Sequence, residues 1–204
     1  MADETATTKR RYEKRARAVQ ERETRMRIID ATIALHATVG PARTSISAIA
    51  DRAGVRRATV YRHFPDERTL FMGCSGAFAE RNPAPDPALW VLIEDPAERL
   101  GVALDAVYGW YERAQPMFSA VLRDADAMPI VGEIQAGRLA YLAAVEGGLV
   151  AGWGARGRAA RRLRATIGLA LDFVAWRTLD QRDLSRVDAI AIMSSAVVAA
   201  GRSV

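Results

Sequence analysis

Apolar residues along this chain recur every three to four positions, and no stretch keeps up a two-residue alternation. That is the period of the α-helix, and it makes the chain all-α. Ile28, Ile29, Ile33 and Leu35 set out a first helix, about Arg22 to Thr38, which Gly40-Pro41 ends. Ile46, Ile49, Ala50 and Ala53 give the second helix one apolar face. Thr44 or Ser45 stands where an N-cap belongs, and Gly54 stands where the helix must stop in a left-handed turn. Val55 plugs the angle to a short third helix, about Arg56 to His63, which turns Val60 and Phe64 inward. Arg56, Arg57, Thr59, Tyr61, Arg62 and His63 are left for solvent or a partner. A further helix opens near Pro65-Asp66 and runs to about Arg81.

The pattern continues into a larger C-terminal body. The prolines of Asn82–Pro87 break the chain, and Asp95-Pro96 reads as an N-cap before a first-turn proline, opening a helix to about Ala114. Gln115-Pro116 is expected to interrupt it before a shorter helix to about Ala127. Pro129 opens a segment to about Trp153, and the last two helices are expected over Arg158 to Asp180 and Ser185 to Gly201. Both are apolar on more than one face. Ile167, Leu171 and Val174 form one stripe, and Ile190, Met193 and Val197 lie on the final helix. A helix apolar all round must be covered on both sides, so a second copy of the chain is expected over these six residues.

Two helices joined by a tight turn, the second bearing arginines, form a unit shaped to enter the major groove of DNA. The string A-x-x-A-G-V-x-x-x-T-V-Y-R-H-F-P, with Ile29-Asp30-Ala31 and Gly40 upstream, resembles the tetracycline-repressor (TetR) family of bacterial transcription regulators. The resemblance covers roughly Arg25 to Phe71. Three positions depart from it: Arg56 where serine is common, Glu67 where lysine is common, and His36 where phenylalanine is usual. The resemblance implies DNA contacts from Thr44, Ser45, Arg56, Arg57, Thr59, Tyr61, Arg62 and His63, with Arg68 in place of the missing lysine and Tyr61 and His63 at phosphates. It also implies a dimer built through the C-terminal helices.

Charge sharpens this division. Residues 1–64 carry 14 Lys+Arg against 7 Asp+Glu, a net of +7, while residues 65–204 carry 15 against 17, a net of −2. A basic head on a near-neutral body is the electrostatic footprint of a DNA-binding module joined to something else. The expected organisation is a basic, flexible arm over 1–21, a helix-turn-helix domain over 22–71, and an effector-binding and dimerisation domain over 72–204. Lys9, Arg10, Arg11, Lys14, Arg15 and Arg17 crowd the arm, and helical spacing from Tyr12 onward allows it to extend the first helix. No apolar run reaches eighteen residues, no secretory pattern opens the chain, and Cys74 is the sole cysteine. A cytoplasmic protein is expected, with no membrane partner.

Catalytic patterns are missing. Lys9 and Lys14 are the only lysines, so no Walker A loop exists, and G-x-S-x-G, C-x-x-C, H-E-x-x-H and G-x-G-x-x-G are absent. Neither an enzyme nor a metal or cofactor site is expected. His36 reads as a satisfied, partly buried histidine. The body is rich in aromatic residues, the usual lining of small-molecule sites between helices. Trp110, Phe118, Tyr141 and Trp176 are expected around an effector, with Asp172 orienting it. Asp105 and Glu146 are two further carboxylates in apolar stretches, placed to orient a ligand or to pair with Arg138 or Arg177. The function expected is a homodimeric, ligand-responsive transcriptional repressor on a near-palindromic operator. The alternatives are a DNA-binding protein without an effector and an enzyme with an unrecognised site.

Overall fold

The computed structural model describes the backbone of residues 2–202 and the side chains of residues 13–202. Among the described residues there are nine α-helices and no strand. In chain order they are α1 (Ala2–Thr38), α2 (Ile46–Ala53), α3 (Arg57–His63), α4 (Glu67–Arg81), α5 (Pro96–Asp124), α6 (Pro129–Val150), α7 (Gly157–Ala170), α8 (Phe173–Asp180) and α9 (Arg186–Gly201). None is long and apolar enough to cross a membrane. Two compact units divide the chain: residues 1–80 with 116–131, and residues 81–115 with 132–204.

In the first unit, Ile28, Ile29, Ile49, Ala50, Val60, Phe64, Leu70 and Cys74 close a single core among α1 to α4. Each α-helix starts and stops for a local reason. Ser45 Oγ accepts the Ala48 N–H at 3.2 Å and so caps α2. The Thr44 hydroxyl, the other candidate cap, is spent on Gly40 O at 2.7 Å. Gly54 adopts φ 66°, ψ 40° and ends α2, and the Val55 N–H returns to Ala50 O at 2.9 Å. That paired return closes the left-handed C-cap expected at this glycine. Asp66 caps α4 by accepting the Thr69 N–H at 2.7 Å.

The second unit is built on Leu100, Leu104, Val107, Tyr108 and Tyr111 of α5, packed against Leu163 and Ile167 of α7, Phe173 and Trp176 of α8, and Val197 of α9, all buried. Helices α7 and α9 lie side by side. Asp95 caps α5 through the Glu98 N–H at 2.7 Å, and Ser185 and Asp188 form a capping box at the start of α9.

Three expectations from the sequence need correcting. The first helix does not wait until Arg22 but begins at Ala2, the extension that the spacing from Tyr12 allows. The side chains of Lys9, Arg10 and Arg11 lie outside the described residues, while Lys14, Arg15 and Arg17 are exposed. Helix α5 runs through Pro116 without a break. The proline forfeits one backbone bond, but burial of Ala114, Met117 and Ala120 on either side holds the segment helical. The divide between the two units falls at this same Gln115–Pro116 bond. Finally, the expected Arg158–Asp180 helix is two helices. Asp172 turns its carboxylate onto the Ala175 N–H at 2.8 Å, starting α8 afresh. The carbonyls freed by the break are bonded from α5: Tyr108 Oη donates to Ala170 O at 2.9 Å and Tyr111 Oη to Leu171 O at 2.5 Å. Those buried phenols satisfy groups that would otherwise be costly, and burial pushes both hydroxyls well above their ordinary pKa.

Candidate functional site

Helix α3 is held by its inner side and free on its outer one. Val60 and Phe64 are fully buried, and the Arg25 guanidinium lies 4.1 Å over the Phe64 ring while Nη1 donates to His63 O at 3.1 Å. A cation over an aromatic face, bonded to the end of α3, fixes that helix against α1. Arg56, Arg57, Tyr61 and Arg62 are exposed on the other side, with Thr59 and His63 half-buried beside them. Arg56 is the N-cap residue and makes no side-chain cap bond, so its guanidinium is not spent on the helix end. His63 Nε2 meets no hydrogen-bond partner among the described residues. Its pKa is lowered, first by desolvation and then by the neighbouring Arg62. Ser45 is exposed at the mouth of α2, Thr44 is half-buried, and Arg68 is exposed on the first turn of α4. The arrangement is a rigid short helix that presents planar guanidinium forks, phenol and imidazole outward, the donors that base edges and phosphates accept.

The loop leading into α2 is tied to the far end of α5. Asp124 Oδ2 accepts the Ala42 N–H at 3.1 Å, Arg123 Nε donates to Asp124 Oδ1 at 2.9 Å, and Arg123 Nη2 donates to Val39 O at 2.9 Å. Gly40, at φ 95°, leaves room for this clasp, since a Cβ there would collide with both side chains. The Arg123 bond above all, and then the Ala42 amide, hold the Asp124 carboxyl below its usual range. Sequence reasoning had no signal for this clasp, because its partners lie 82 and 84 residues apart.

Residues 28–72 match the model of bacterial regulatory proteins of the tetR family. The chain belongs to that family. The matched stretch of this tetR chain takes in the end of α1 through the start of α4, the same helices that close around Phe64. The HTH-type transcriptional repressor KstR of Mycobacterium tuberculosis is 30% identical over 120 residues, which is 56% of this chain and 54% of that protein. KstR of Mycolicibacterium smegmatis is 39% identical over 61 residues, 30% of each chain. The tetR chain therefore spans about half the length of the first of these curated relatives and less of the second. Among solved structures, a TetR-like transcriptional regulator from Rhodococcus sp. RHA1 superposes with a TM-score of 0.61 at 20% identity, covering 85% of this chain and 93% of that one. FadR, a fatty acid degradation regulator from Bacillus halodurans, does so with a TM-score of 0.55 at 19% identity, covering 87% and 94%. At such identities these two establish the shared fold.

The body residues of this tetR chain fall differently from expectation. Trp110, Tyr141 and Trp176 do come together in the second unit. The Trp110 ring lies 5.7 Å from Tyr141 and 5.6 Å from Tyr111, and Tyr111 lies 5.6 Å from Trp176. Phe118 belongs to the first unit, where it meets Phe78 edge-on at 6.3 Å. Asp172 is an exposed helix cap, and not a buried carboxylate. Asp105 pairs with Arg186 at 3.3 Å and Glu146 with Arg164 at 2.9 Å, so neither takes Arg138 or Arg177. Of the six residues expected at a partner, Ile167, Leu171 and Val197 are buried within one chain, and Ile190 and Met193 are half-buried. A side chain with no exposed area left has none to give a second copy. The large apolar side chains that the last three helices do expose are Leu169, Val174, Val187 and Ile192.

Proposed function

We propose that this chain is a homodimeric transcriptional repressor that binds a near-palindromic operator through α3 and is released by a small apolar or aromatic effector. The observation that carries the reading is the exposed arginine face of a core-locked α3, on the unit that the family model covers. Arg57, first residue of α3, reaches base edges, where a guanidinium pairs with guanine O6 and N7. Arg56, Thr59, Tyr61, Arg62, His63 and Arg68 take phosphates and flanking positions, with Ser45 and Thr44 at the mouth of α2. The basic residues of α1 before Arg22 extend this positive surface. Two copies meet through the apolar side chains left open on α7 to α9. The transcriptional-repressor names of the two curated relatives support the reading.

Arg57→Ala should cost roughly 1–3 kcal/mol on the specific site and relax selection at one base position. Tyr61→Phe and His63→Ala should instead weaken all duplexes alike. Operator and random-duplex titrations at fixed salt check both. An Arg57→Ala chain that loses the same affinity for both duplexes would remove Arg57 from the base-reading role.

The effector site is the ring cluster of Trp110, Tyr111, Tyr141 and Trp176. Control of DNA binding requires the effector to favour one of two states of the protein. Helix α5 carries Trp110 and Tyr111, and twelve residues beyond Tyr111 it presents the Arg123–Asp124 clasp to the loop before α2. Helix α4 is the second continuous element, running from the Leu70 core of the head to Arg81. Displacement of either shifts α3, and a dimer that must match a fixed groove spacing is intolerant of such shifts. A coupling of about 1–3 kcal/mol is expected, a factor of roughly 5–150 in operator affinity.

A further inference from the structure

One charged side chain stands on the wrong side of its helix for a surface residue. Helix α6 exposes Gly132, Ala136, Gly137, Ala140 and Ala143, whereas Ile134, Arg138, Tyr141 and Val145 lie on its more covered side. Arg138 therefore shares the side of α6 that carries Tyr141, and it is hydrogen-bonded to Tyr111 in the ring cluster. Its Nε donates to Gln135 Oε1 at 2.9 Å. A guanidinium so placed loses solvation, and desolvation lowers its pKa against the raising influence of Tyr111 and Asp172.

The polar groups of the cluster are otherwise committed to backbone. Trp110 Nε1 donates to Asn82 O at 3.0 Å, Tyr141 Oη to Pro85 O at 2.7 Å and Tyr111 Oη to Leu171 O at 2.5 Å. The nearby carboxylates are likewise committed: Asp172 caps α8, and Asp86 accepts the Ala88 N–H at 2.9 Å. Arg138 thus faces neutral hydrogen-bond partners, an amide and a phenol, beside rings suited to a flat or apolar body. A guanidinium exchanges such neutral acceptors for a carboxylate with gain, because charge-assisted, two-pronged bonds are stronger than neutral ones. The covered side of α6 is also incompletely closed: Ile134, Arg138, Tyr141 and Leu142 are half-buried, while the rings of Trp110 and Trp176 are fully covered.

We infer that the effector is an amphiphilic anion whose carboxylate is held by Arg138 while Trp110, Tyr111, Tyr141 and Trp176 take its apolar part. The inference rests on the reading of the ring cluster as the effector site. Three acids, 2-naphthoate, octanoate and laurate, each paired with its primary amide, test it by titration calorimetry on the full chain. The wild-type chain should bind at least one acid about tenfold or more tightly than its amide. Arg138→Gln should erase that preference, and Arg138→Lys, which keeps the charge and loses the planar fork, should leave an intermediate one. Equal affinity for acid and amide in the wild-type chain, or a preference that survives Arg138→Gln, overturns the anion inference and leaves the effector site standing. Failure of all six compounds to bind would overturn the effector site itself, and the anion inference with it. The wild-type comparison needs no variant to fold.

Discussion

A chain carrying both Val187→Arg and Ile192→Arg should sediment as a monomer and bind operator DNA on the order of a hundredfold more weakly. Val187 is 74% exposed and Ile192 46%, both on α9, and neither supports the core of its own chain. Charging them leaves folding intact and burdens only a surface that must lose water against a second copy. The loss in DNA binding is large because the second half-site is gained at the effective concentration of a tethered partner, and dissociation forfeits it. Ile167→Arg provides the contrast. Ile167 has 0% exposure within one chain, so an arginine there would be an unpaired buried charge and should unfold the body. Sedimentation and circular dichroism on the two variants separate the outcomes. If the double arginine variant stays dimeric, the interface lies on another face.

Acid should weaken this protein through one imidazole. His36 is 3% exposed, with Nδ1 3.7 Å from Cys74 Sγ and Nε2 without a partner among the described residues. It is buried as expected from the sequence, but not satisfied. Burial lowers its pKa to about 4 from an ordinary 6.5, with Asp124 pulling weakly the other way. The unfolded chain therefore takes up this proton first as pH falls. Stability from this site is complete above pH 6.5 and drains away toward pH 4, by roughly 3 kcal/mol in all and roughly 2 by pH 5. Asp124, held below the ordinary carboxyl range, adds a loss in the same direction only at lower pH. His36→Phe places a ring of similar shape against Phe71, whose ring centre is 4.7 Å away, and removes the titration. Urea unfolding at pH 7 and pH 5 should show the loss in the wild-type chain and not in His36→Phe. Equal losses in both would take His36 out of the acid response.

The head was legible because its determinants are local. Ser45, Gly54, Val60 and Phe64 do their work within a few residues of where they stand, so spacing alone places them. The body was less legible for three physical reasons. Pro116 breaks an isolated helix, yet the burial of its neighbours overrides it. Asp172 reads as one more turn of an apolar helix until its side chain is seen to cap the next one. A helix apolar all round does not say which side its own core takes, and that choice put Ile167, Leu171 and Val197 inside and left Val187 and Ile192 outside. Contacts between distant segments, such as Arg123 and Asp124 on the loop before α2, are invisible to any local pattern.

Selection of binding sites from random duplexes by the full chain tests the central claim most directly. Two copies of α3 related by a two-fold axis should recover an inverted repeat whose half-site centres lie about 34–36 Å apart or a multiple of that spacing. A guanine within each half-site should lose its selection in Arg57→Ala. Recovery of an asymmetric motif, or of none, would contradict the account of this chain as a dimeric reader of DNA.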